Sequence, residues 1–185
     1  MQLVNELMPI SIEEIKEAAQ EAYGCINRIY LHWTAGHYGQ VYDDYHISVD
    51  HDGKIYCPDN NTDLLAHREH TYRRNYRSIA ITACGCYDAC SEPYDMGSEP
   101  VTLAQIETIA VLVATICKHA KVSIDSVYTH CEIAKIDGYG PYSGDPQTRW
   151  DLWYLPDNAQ AGKMIPGGDV IRGKAAWYLN NYSNL

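Results

Sequence analysis

Two short segments of this chain end in the same way, and they constrain its fold more than any other feature. Ile29-Tyr-Leu-His32 and Val127-Tyr-Thr-His130 each carry a histidine at the fourth position of a β-prone run. Such a run predicts a short strand, with the histidine at the point where the chain leaves the sheet. Because ligands bind beyond strand ends in α/β sheets, we expect the two imidazoles to meet there.

The rest of the sequence alternates between predicted helices and strands. Capping boxes, in which Ser or Thr is followed three residues later by Glu or Gln, predict helices that begin after Ser11 and Thr102. Ser78 to Cys84 is predicted as a buried strand, and Tyr45 to Cys57 as a hairpin that turns at Asp52-Gly53. The pattern predicts an α/β fold with a mixed central β-sheet flanked by helices.

The 185 residues are expected to form a single domain. We expect an N-terminal helix within residues 1–25, a core that carries the candidate site in 26–155, and a helical extension in 156–185 with a closing helix from Val170 to Asn180. No repeat or low-complexity tract divides these parts.

Composition and charge exclude two classes of partner. The formal charge is −10 with only 14 Lys and Arg, whereas neutralising nucleic-acid phosphates requires clustered basic residues. No apolar run approaches the roughly 18 residues of a membrane span, so we expect no membrane insertion.

The N-terminus lacks the layout of a secretory signal, which predicts synthesis in the cytoplasm or a trimmed chain. A monomer is expected.

The cysteines are expected to be reduced thiols. There are seven, an odd number, so at least one is unpaired within the chain. Cys84, Cys86 and Cys90 lack the paired Cys-x-x-Cys spacing of structural zinc sites. We interpret them as small residues at a strand end, able to form a disulfide under oxidising conditions.

His32 and His130 are candidate metal ligands, and the stretch after His130 offers a third. Asp145 follows a loop rich in Gly, Pro and Tyr, and Asp151 lies in the aromatic cluster beyond it, so either carboxylate is eligible. Two histidines and one carboxylate form a Zn²⁺ site that leaves a fourth position open for water. Such a site lowers the pKa of its water to about 7 and polarises a carbonyl, which suits amide hydrolysis.

A series of motifs occurs in a fixed order from Ile29 to Leu155. It consists of His32 after an apolar strand, the hairpin from Tyr45 to Tyr56, Ala66-His67, Asn75 with Ser78-Ile-Ala-Ile81, a long helix, Thr129-His130-Cys-Glu-Ile-Ala134, Asp145-Pro146 and Trp150-Asp151. In this order the motifs resemble the zinc-dependent N-acetylmuramoyl-L-alanine amidases, the type 2 family that includes phage lytic amidases, bacterial anhydromuropeptide amidases and peptidoglycan recognition proteins.

The resemblance implies roles for the residues that match the family's motifs. It makes His32, His130 and Asp145 the Zn²⁺ ligands and gives Asp151 a structural role in the closing motif. Tyr45 matches the tyrosine that orients the attacking water or the oxyanion.

The resemblance also implies a substrate groove. His67 and Asn75 match residues of the family that line the groove or contact substrate. Trp33 and the loop 138–144, which includes Ser143, are expected to complete it.

One position departs from the family's pattern. Relatives usually carry a Lys two residues before the last ligand, where its charge stabilises the oxyanion, and counting from Asp145 that position holds Ser143. Lys135, from the loop expected between His130 and Asp145, is a candidate to supply the charge. Ser143 or a backbone N–H is the alternative donor.

The implied activity is zinc-dependent hydrolysis of the amide between N-acetylmuramic acid and L-alanine in peptidoglycan. The setting would be wall lysis by a phage or prophage endolysin, or muropeptide recycling in the cytoplasm. The alternative is a non-catalytic module of the same fold that binds muropeptides. A zinc peptidase or deacetylase of another fold is a weaker reading, because the helical His-Glu-x-x-His pattern is missing.

Overall fold

The computed structural model describes residues 1–157 and 159–182. The α-helices in these ranges are α1 Ile12–Glu21, α2 Leu103–Ala120, α3 His130–Asp137 and α4 Gly167–Asn181. The strands are β1 Leu3–Val4, β2 Arg28–Trp33, β3 Val41–Tyr42, β4 Ile47–Val49, β5 Ile55–Tyr56, β6 Ser78–Ala83, β7 Cys90–Ser91, β8 Tyr94–Asp95, β9 Val127–Thr129, β10 Tyr154–Pro156 and β11 Met164–Pro166. A 3₁₀ helix spans Ile124–Ser126.

A five-stranded sheet positions the candidate site, and its strand order is β5-β4-β6-β2-β9. β2 runs parallel to both β6 and β9, and β4 runs parallel to β6, whereas β5 pairs antiparallel with β4. The predicted mixed α/β sheet is therefore confirmed. Leu31 pairs with Thr129, so His32 and His130 leave neighbouring strands at the same level.

The two faces of β2 have different surroundings. Ile29, Leu31 and Trp33 belong to the hydrophobic core that includes residues of α1 and α2. Tyr30, on the other face, contacts the rings of His70 and Tyr128. Because side chains alternate along a strand, His32 shares the face of Tyr30. The sheet thus packs one face on the helices and carries the candidate site on the other.

Both predicted capping boxes begin helices, α1 after Ser11 and α2 after Thr102. In α2 the Thr102 hydroxyl accepts from the Gln105 N–H at 3.1 Å, and Gln105 Oε1 accepts from the Thr102 N–H at 2.9 Å. The buried Gln105 amide also donates to the carbonyls of Val49 and Cys84. The first turn of α2 is therefore tied to the ends of β4 and β6.

α2 corrects one expectation about apolar runs. Among the helices of the described residues, α2 is the one that is long and apolar enough to cross a membrane, judged by length and composition alone. Its apolar side chains, including Ile106, Ile109 and Val113, are buried inside the protein. A core helix passes the same test of length and composition, and α2 has the surroundings of a core helix.

The chain after His130 forms a helix where the sequence analysis predicted a loop. α3 begins at His130, and its N-cap Thr129 forms a third capping box with Glu132. The Thr129 hydroxyl accepts from the Glu132 N–H at 3.2 Å, and Glu132 Oε2 accepts from the Thr129 N–H at 2.8 Å. Gly138, at φ 85°, ends the helix in the left-handed conformation that glycine adopts readily.

The closing helix α4 begins earlier than the predicted Val170, at Gly167. A Cβ atom at Gly167 would collide with the Leu152 carbonyl, and one at Gly168 with the Glu132 carboxylate. The two glycines therefore allow α4 to pack closely on the segment that carries the candidate site. Arg172 of α4 secures this contact through two 2.8 Å hydrogen bonds to the Glu132 carboxylate.

The predicted cysteine cluster contains no disulfide in the described structure. Cys84, Cys86 and Cys90 are all free, the first two buried and the third exposed. Burial raises the pKa of the Cys86 thiol to about 12, so this thiol is neutral at physiological pH.

Candidate active site

Three buried side chains meet beyond the end of β2. Asp151 Oδ2 lies 3.4 Å from His32 Nδ1 and 3.3 Å from His130 Nδ1. The centroids of the two imidazole rings are 4.7 Å apart. Among the potential metal ligands of residues 1–157 and 159–182, these three side chains are the group that lies close enough together to hold a metal ion.

The structure brings Asp151, and not the predicted Asp145, next to the two imidazoles. Asp145 is exposed, and its Oδ1 accepts a hydrogen bond from the Gln147 N–H at 2.7 Å. Asp151 is brought to the histidines because the Cys131 N–H, in the first turn of α3, donates to the Asp151 carbonyl. The carboxylate that was given a structural role is therefore the one that meets the imidazoles.

Asp151 lies at a suitable distance from both imidazoles for the three groups to share a tetrahedral metal ion, and the three ligand atoms lie within 4.8 Å of one another. Bonds of about 2.0–2.2 Å at tetrahedral angles separate neighbouring ligand atoms by about 3.3–3.5 Å, and Asp151 Oδ2 lies 3.3 and 3.4 Å from the two Nδ1 atoms. Burial lowers the pKa of His32 to about 4, so this imidazole is neutral at pH 7. Burial alone would raise the pKa of Asp151, but His130 and His32 hold it well below its usual range. Neutral imidazole and ionised carboxylate are the forms that bind a metal.

The far nitrogen of each imidazole contacts a hydroxyl group. His32 Nε2 lies 3.3 Å from Thr71 Oγ1, and His130 Nε2 lies 3.5 Å from the Tyr139 hydroxyl. Contacts of this kind fix the ring orientation of metal-binding histidines. Neither hydroxyl was predicted, because both belong to segments whose path the sequence pattern does not determine.

Two clefts open beside the three side chains. One has a volume of about 760 Å³ and the other of about 520 Å³, and His70, His130 and Arg149 line both. The predicted Asn75 lines the larger cleft, and the predicted Trp33 lines the smaller. His130 therefore lies where the two clefts adjoin.

The predicted Tyr45 lies beside His32. It is 8% exposed, its ring centroid is 5.2 Å from that of His32, and it lines the smaller cleft. Burial raises the pKa of the Tyr45 hydroxyl well above its usual value. The hydroxyl therefore stays protonated and able to donate a hydrogen bond across the neutral and alkaline range.

The predicted Lys135 does not face the clefts in the described structure. It lies on the exposed side of α3, with its Nζ 4.9 Å from the centroid of the Trp153 ring. The cation that lines both clefts is Arg149. Counted from Asp151 rather than Asp145, the position two residues before the carboxylate holds Arg149, so a positive charge is present there after all.

The remaining predicted contacts lie further out. Ser143 is exposed, and its hydroxyl accepts from the Asp145 N–H. His67 is exposed too, whereas His70 and Thr71, three and four residues later, line the larger cleft. No motif in the sequence analysis includes His70. Its spacing from His67 gave no signal, because the segment between β5 and β6 is irregular.

Comparisons with known proteins point to one family. The family described as Amidase_2, N-acetylmuramoyl-L-alanine amidase, matches residues 19–147, more than half of the chain. The match includes His32 and His130 and ends before Asp151. A search of curated proteins gave no match.

Two solved structures from Clostridium intestinale URNW are similar to this chain. One is the endolysine N-acetylmuramoyl-L-alanine amidase LysCS, with a TM-score of 0.44, 17% identity, and coverage of 72% of this chain and 78% of that chain. The other is the N-acetylmuramoyl-L-alanine amidase LysC, with a TM-score of 0.43, 18% identity, and coverage of 72% of this chain and 80% of that chain.

Proposed function

The chain belongs to the N-acetylmuramoyl-L-alanine amidase family, and on this premise we propose that it uses Zn²⁺ to hydrolyse the amide between N-acetylmuramic acid and L-alanine in peptidoglycan. The observation that carries the proposal is the meeting of His32, His130 and Asp151 beside two clefts. The reaction adds water across the C–N bond, so the lactyl carbonyl becomes a carboxylate and the alanine nitrogen leaves as a protonated amine.

We assign His32, His130 and Asp151 as the residues that would hold Zn²⁺. The distances from Asp151 to the two imidazoles, the neutral form of His32 and the ionised form of Asp151 support the assignment. When bound, Zn²⁺ lowers the pKa of water to about 7 and polarises a substrate carbonyl. Side chains of this protein are proposed to stabilise the oxyanion and to contact the substrate.

Tyr45 and Arg149 are suited to stabilise the oxyanion. The protonated Tyr45 hydroxyl, beside His32, is placed to donate to the substrate oxygen or to the attacking water. Arg149 contributes a positive charge at the wall of both clefts. Preformed donors and charges of this kind stabilise the charge that develops on the oxygen in the transition state. Arg149 thus takes the role that was predicted for Lys135.

The substrate contacts follow from the cleft walls. Asn75 and Trp33 are proposed to contact the glycan and the stem peptide, because each lines one of the clefts. His67 and Ser143 stay predicted substrate contacts. The biological setting is proposed to be wall lysis by a phage or prophage endolysin, or muropeptide recycling. Comparing intact sacculi with soluble muropeptides as substrates separates these two settings.

Digestion of defined muropeptides, followed by mass analysis of the fragments, tests the proposed function. We expect fragments with a free L-alanine amino terminus, loss of their release when a chelator removes the metal, and recovery when Zn²⁺ is restored. The His32→Ala variant is expected to be inactive. Tight muropeptide binding without release would support the non-catalytic module, and cleavage at any other bond would refute the proposed specificity.

A further inference from the structure

A chain of buried hydrogen bonds runs from His32 away from the candidate metal site. Thr71 Oγ1 lies 3.3 Å from His32 Nε2 and 2.9 Å from His70 Nδ1. His70 Nε2 lies 3.5 Å from Ser78 Oγ, and Ser78 Oγ lies 2.8 Å from the Arg74 carbonyl oxygen. None of the four residues is more than 7% exposed, so solvent has little access to these contacts. We call this set the Thr71 relay.

The Arg74 carbonyl determines the direction of every hydrogen bond in the Thr71 relay. A carbonyl oxygen only accepts, so the Ser78 hydroxyl donates its single proton to it. The Ser78 oxygen then accepts from His70 Nε2–H, which leaves Nδ1 of the neutral His70 ring as an acceptor. Thr71 donates its single proton to that Nδ1, and its oxygen accepts from His32 Nε2–H. The proton of His32 is therefore on Nε2, and the lone pair is on Nδ1.

This lone pair faces the carboxylate of Asp151. His32 Nδ1 and Asp151 Oδ2 are 3.4 Å apart, and two electron-rich atoms at that distance are stabilised by a cation between them. We infer that Thr71 is a positioning residue, whose hydroxyl holds His32 in the tautomer that binds a metal before the metal arrives. The inference rests on the proposed zinc site, and it extends that site to Thr71, His70 and Ser78.

The backbone of Thr71 is held independently of its hydroxyl. Its N–H donates to Asn75 Oδ1 at 2.9 Å, and its carbonyl accepts from the Arg74 N–H at 3.0 Å. Valine has nearly the same shape as threonine but no hydroxyl, so Thr71→Val removes the relay contact and leaves the backbone contacts in place. Thr71→Ser retains the hydroxyl and removes only a methyl group.

Zinc affinity of the chain, measured by competition with a chromophoric chelator, tests the inference. Loss of such an outer contact weakens metal binding by about 10-fold to 100-fold, which is the change we expect for Thr71→Val. Thr71→Ser is expected to bind zinc within a few-fold of the unaltered chain. The matched control is Thr115→Val, because Thr115 is equally buried but its hydroxyl donates to the Val111 carbonyl within α2.

Nitrogen NMR of the histidine rings gives a second measurement. The tautomer populations that it reports would not change if the residues of the Thr71 relay had only a structural role. In the metal-free, unaltered chain at neutral pH, His70 is expected to carry its proton on Nε2. Ser78→Ala removes the directing contact and is expected to give a mixture of His70 tautomers. Protonation of His70 on Nδ1, or unchanged zinc affinity in Thr71→Val, would overturn the inference. Neither measurement uses muropeptide turnover, so its outcome is independent of the test of the proposed amidase activity.

Discussion

The Cys131 N–H donates a 3.3 Å hydrogen bond to the Asp151 carbonyl. This contact holds Asp151, which directly follows the 138–150 segment, against the first turn of α3, and that turn begins with His130. It therefore determines which of the two eligible carboxylates reaches the imidazoles.

Asp151 and Asp145 are expected to respond differently to the same substitution. Asp151→Asn removes the only charged group of the proposed zinc site, so we expect zinc affinity to fall by at least about 100-fold and activity to fall with it. Asp145→Asn is expected to leave bound zinc unchanged, because Asp145 is exposed and its carboxylate contacts Gln147 instead. Zinc content after dialysis, measured by atomic emission, distinguishes the two. Equal losses in both variants would contradict the assignment of Asp151.

Arg149 rather than Lys135 is expected to supply the catalytic positive charge. Removing one oxyanion-stabilising group typically lowers kcat by about 10²-fold to 10³-fold, and we expect a loss of this size for Arg149→Ala. Lys135→Ala serves as the matched control, with near-normal kcat, because Lys135 packs on Trp153 outside the clefts. Steady-state kinetics on a soluble muropeptide measures both. A larger loss for Lys135→Ala than for Arg149→Ala would restore the prediction made from the sequence.

Tyr45→Phe is expected to lower kcat by about 10²-fold without changing zinc affinity. Because burial raises the pKa of the Tyr45 hydroxyl, the hydroxyl remains a donor through neutral and alkaline pH. The ratio of kcat between the unaltered chain and Tyr45→Phe should therefore be the same at pH 7 and at pH 9. A ratio that shrinks between these two values would show that Tyr45 ionises in that range.

The ion pair between Glu132 and Arg172 is expected to support both stability and the metal site. Arg172 donates two 2.8 Å hydrogen bonds to Glu132, and Glu132 caps α3 at Thr129. A hydrogen bond to a charged group contributes about 1.5–3 kcal/mol, and because both side chains are partly exposed we expect Arg172→Leu to lower the free energy of unfolding by about that amount in total. Lys16→Leu, which breaks the partly exposed pair with Glu13, is the control and should change it little. Chemical denaturation measures both.

The pair between Arg74 and Asp137 predicts a dependence of stability on acid. Arg74 donates hydrogen bonds of 2.6 and 2.5 Å to Asp137 and lowers the pKa of that carboxyl. A carboxyl whose pKa is lower in the folded state stabilises the protein above its unfolded pKa, about 3.9, and this contribution is lost as pH falls through the folded pKa. The difference in Tm between the unaltered chain and Asp137→Asn should be constant above about pH 5 and shrink below about pH 4. A difference that does not shrink as the pH falls below about 4 would contradict this account.

The sequence was informative where the signal is local. The strand-end pattern located His32 and His130, and the capping boxes located α1 and α2. A third capping box at Thr129 was equally visible, and it would have predicted α3 in place of a loop. These features depend on residues within a few positions of one another, so a pattern is enough to reveal them.

The rest of the site depends on contacts between residues distant in sequence. Whether Asp145 or Asp151 reaches His32 is decided by the path of residues 138–150, which no periodicity describes. Thr71 and His70 reach the site only because an irregular segment folds back over the polar face of the sheet. Arg149 was hidden by the choice of Asp145, since the spacing to the last ligand was counted from the other carboxylate.

The hydrogen bond from Ser78 to the Arg74 carbonyl has a consequence for how this site can change in evolution. The group that orients the whole Thr71 relay is a main-chain oxygen, and every amino acid carries one. Substitution at position 74 therefore cannot remove this carbonyl. The Arg74 side chain, which pairs with Asp137, can change without affecting the Thr71 relay. Sequence comparison alone would overlook this acceptor, because it is a main-chain carbonyl and does not depend on the residue type at position 74.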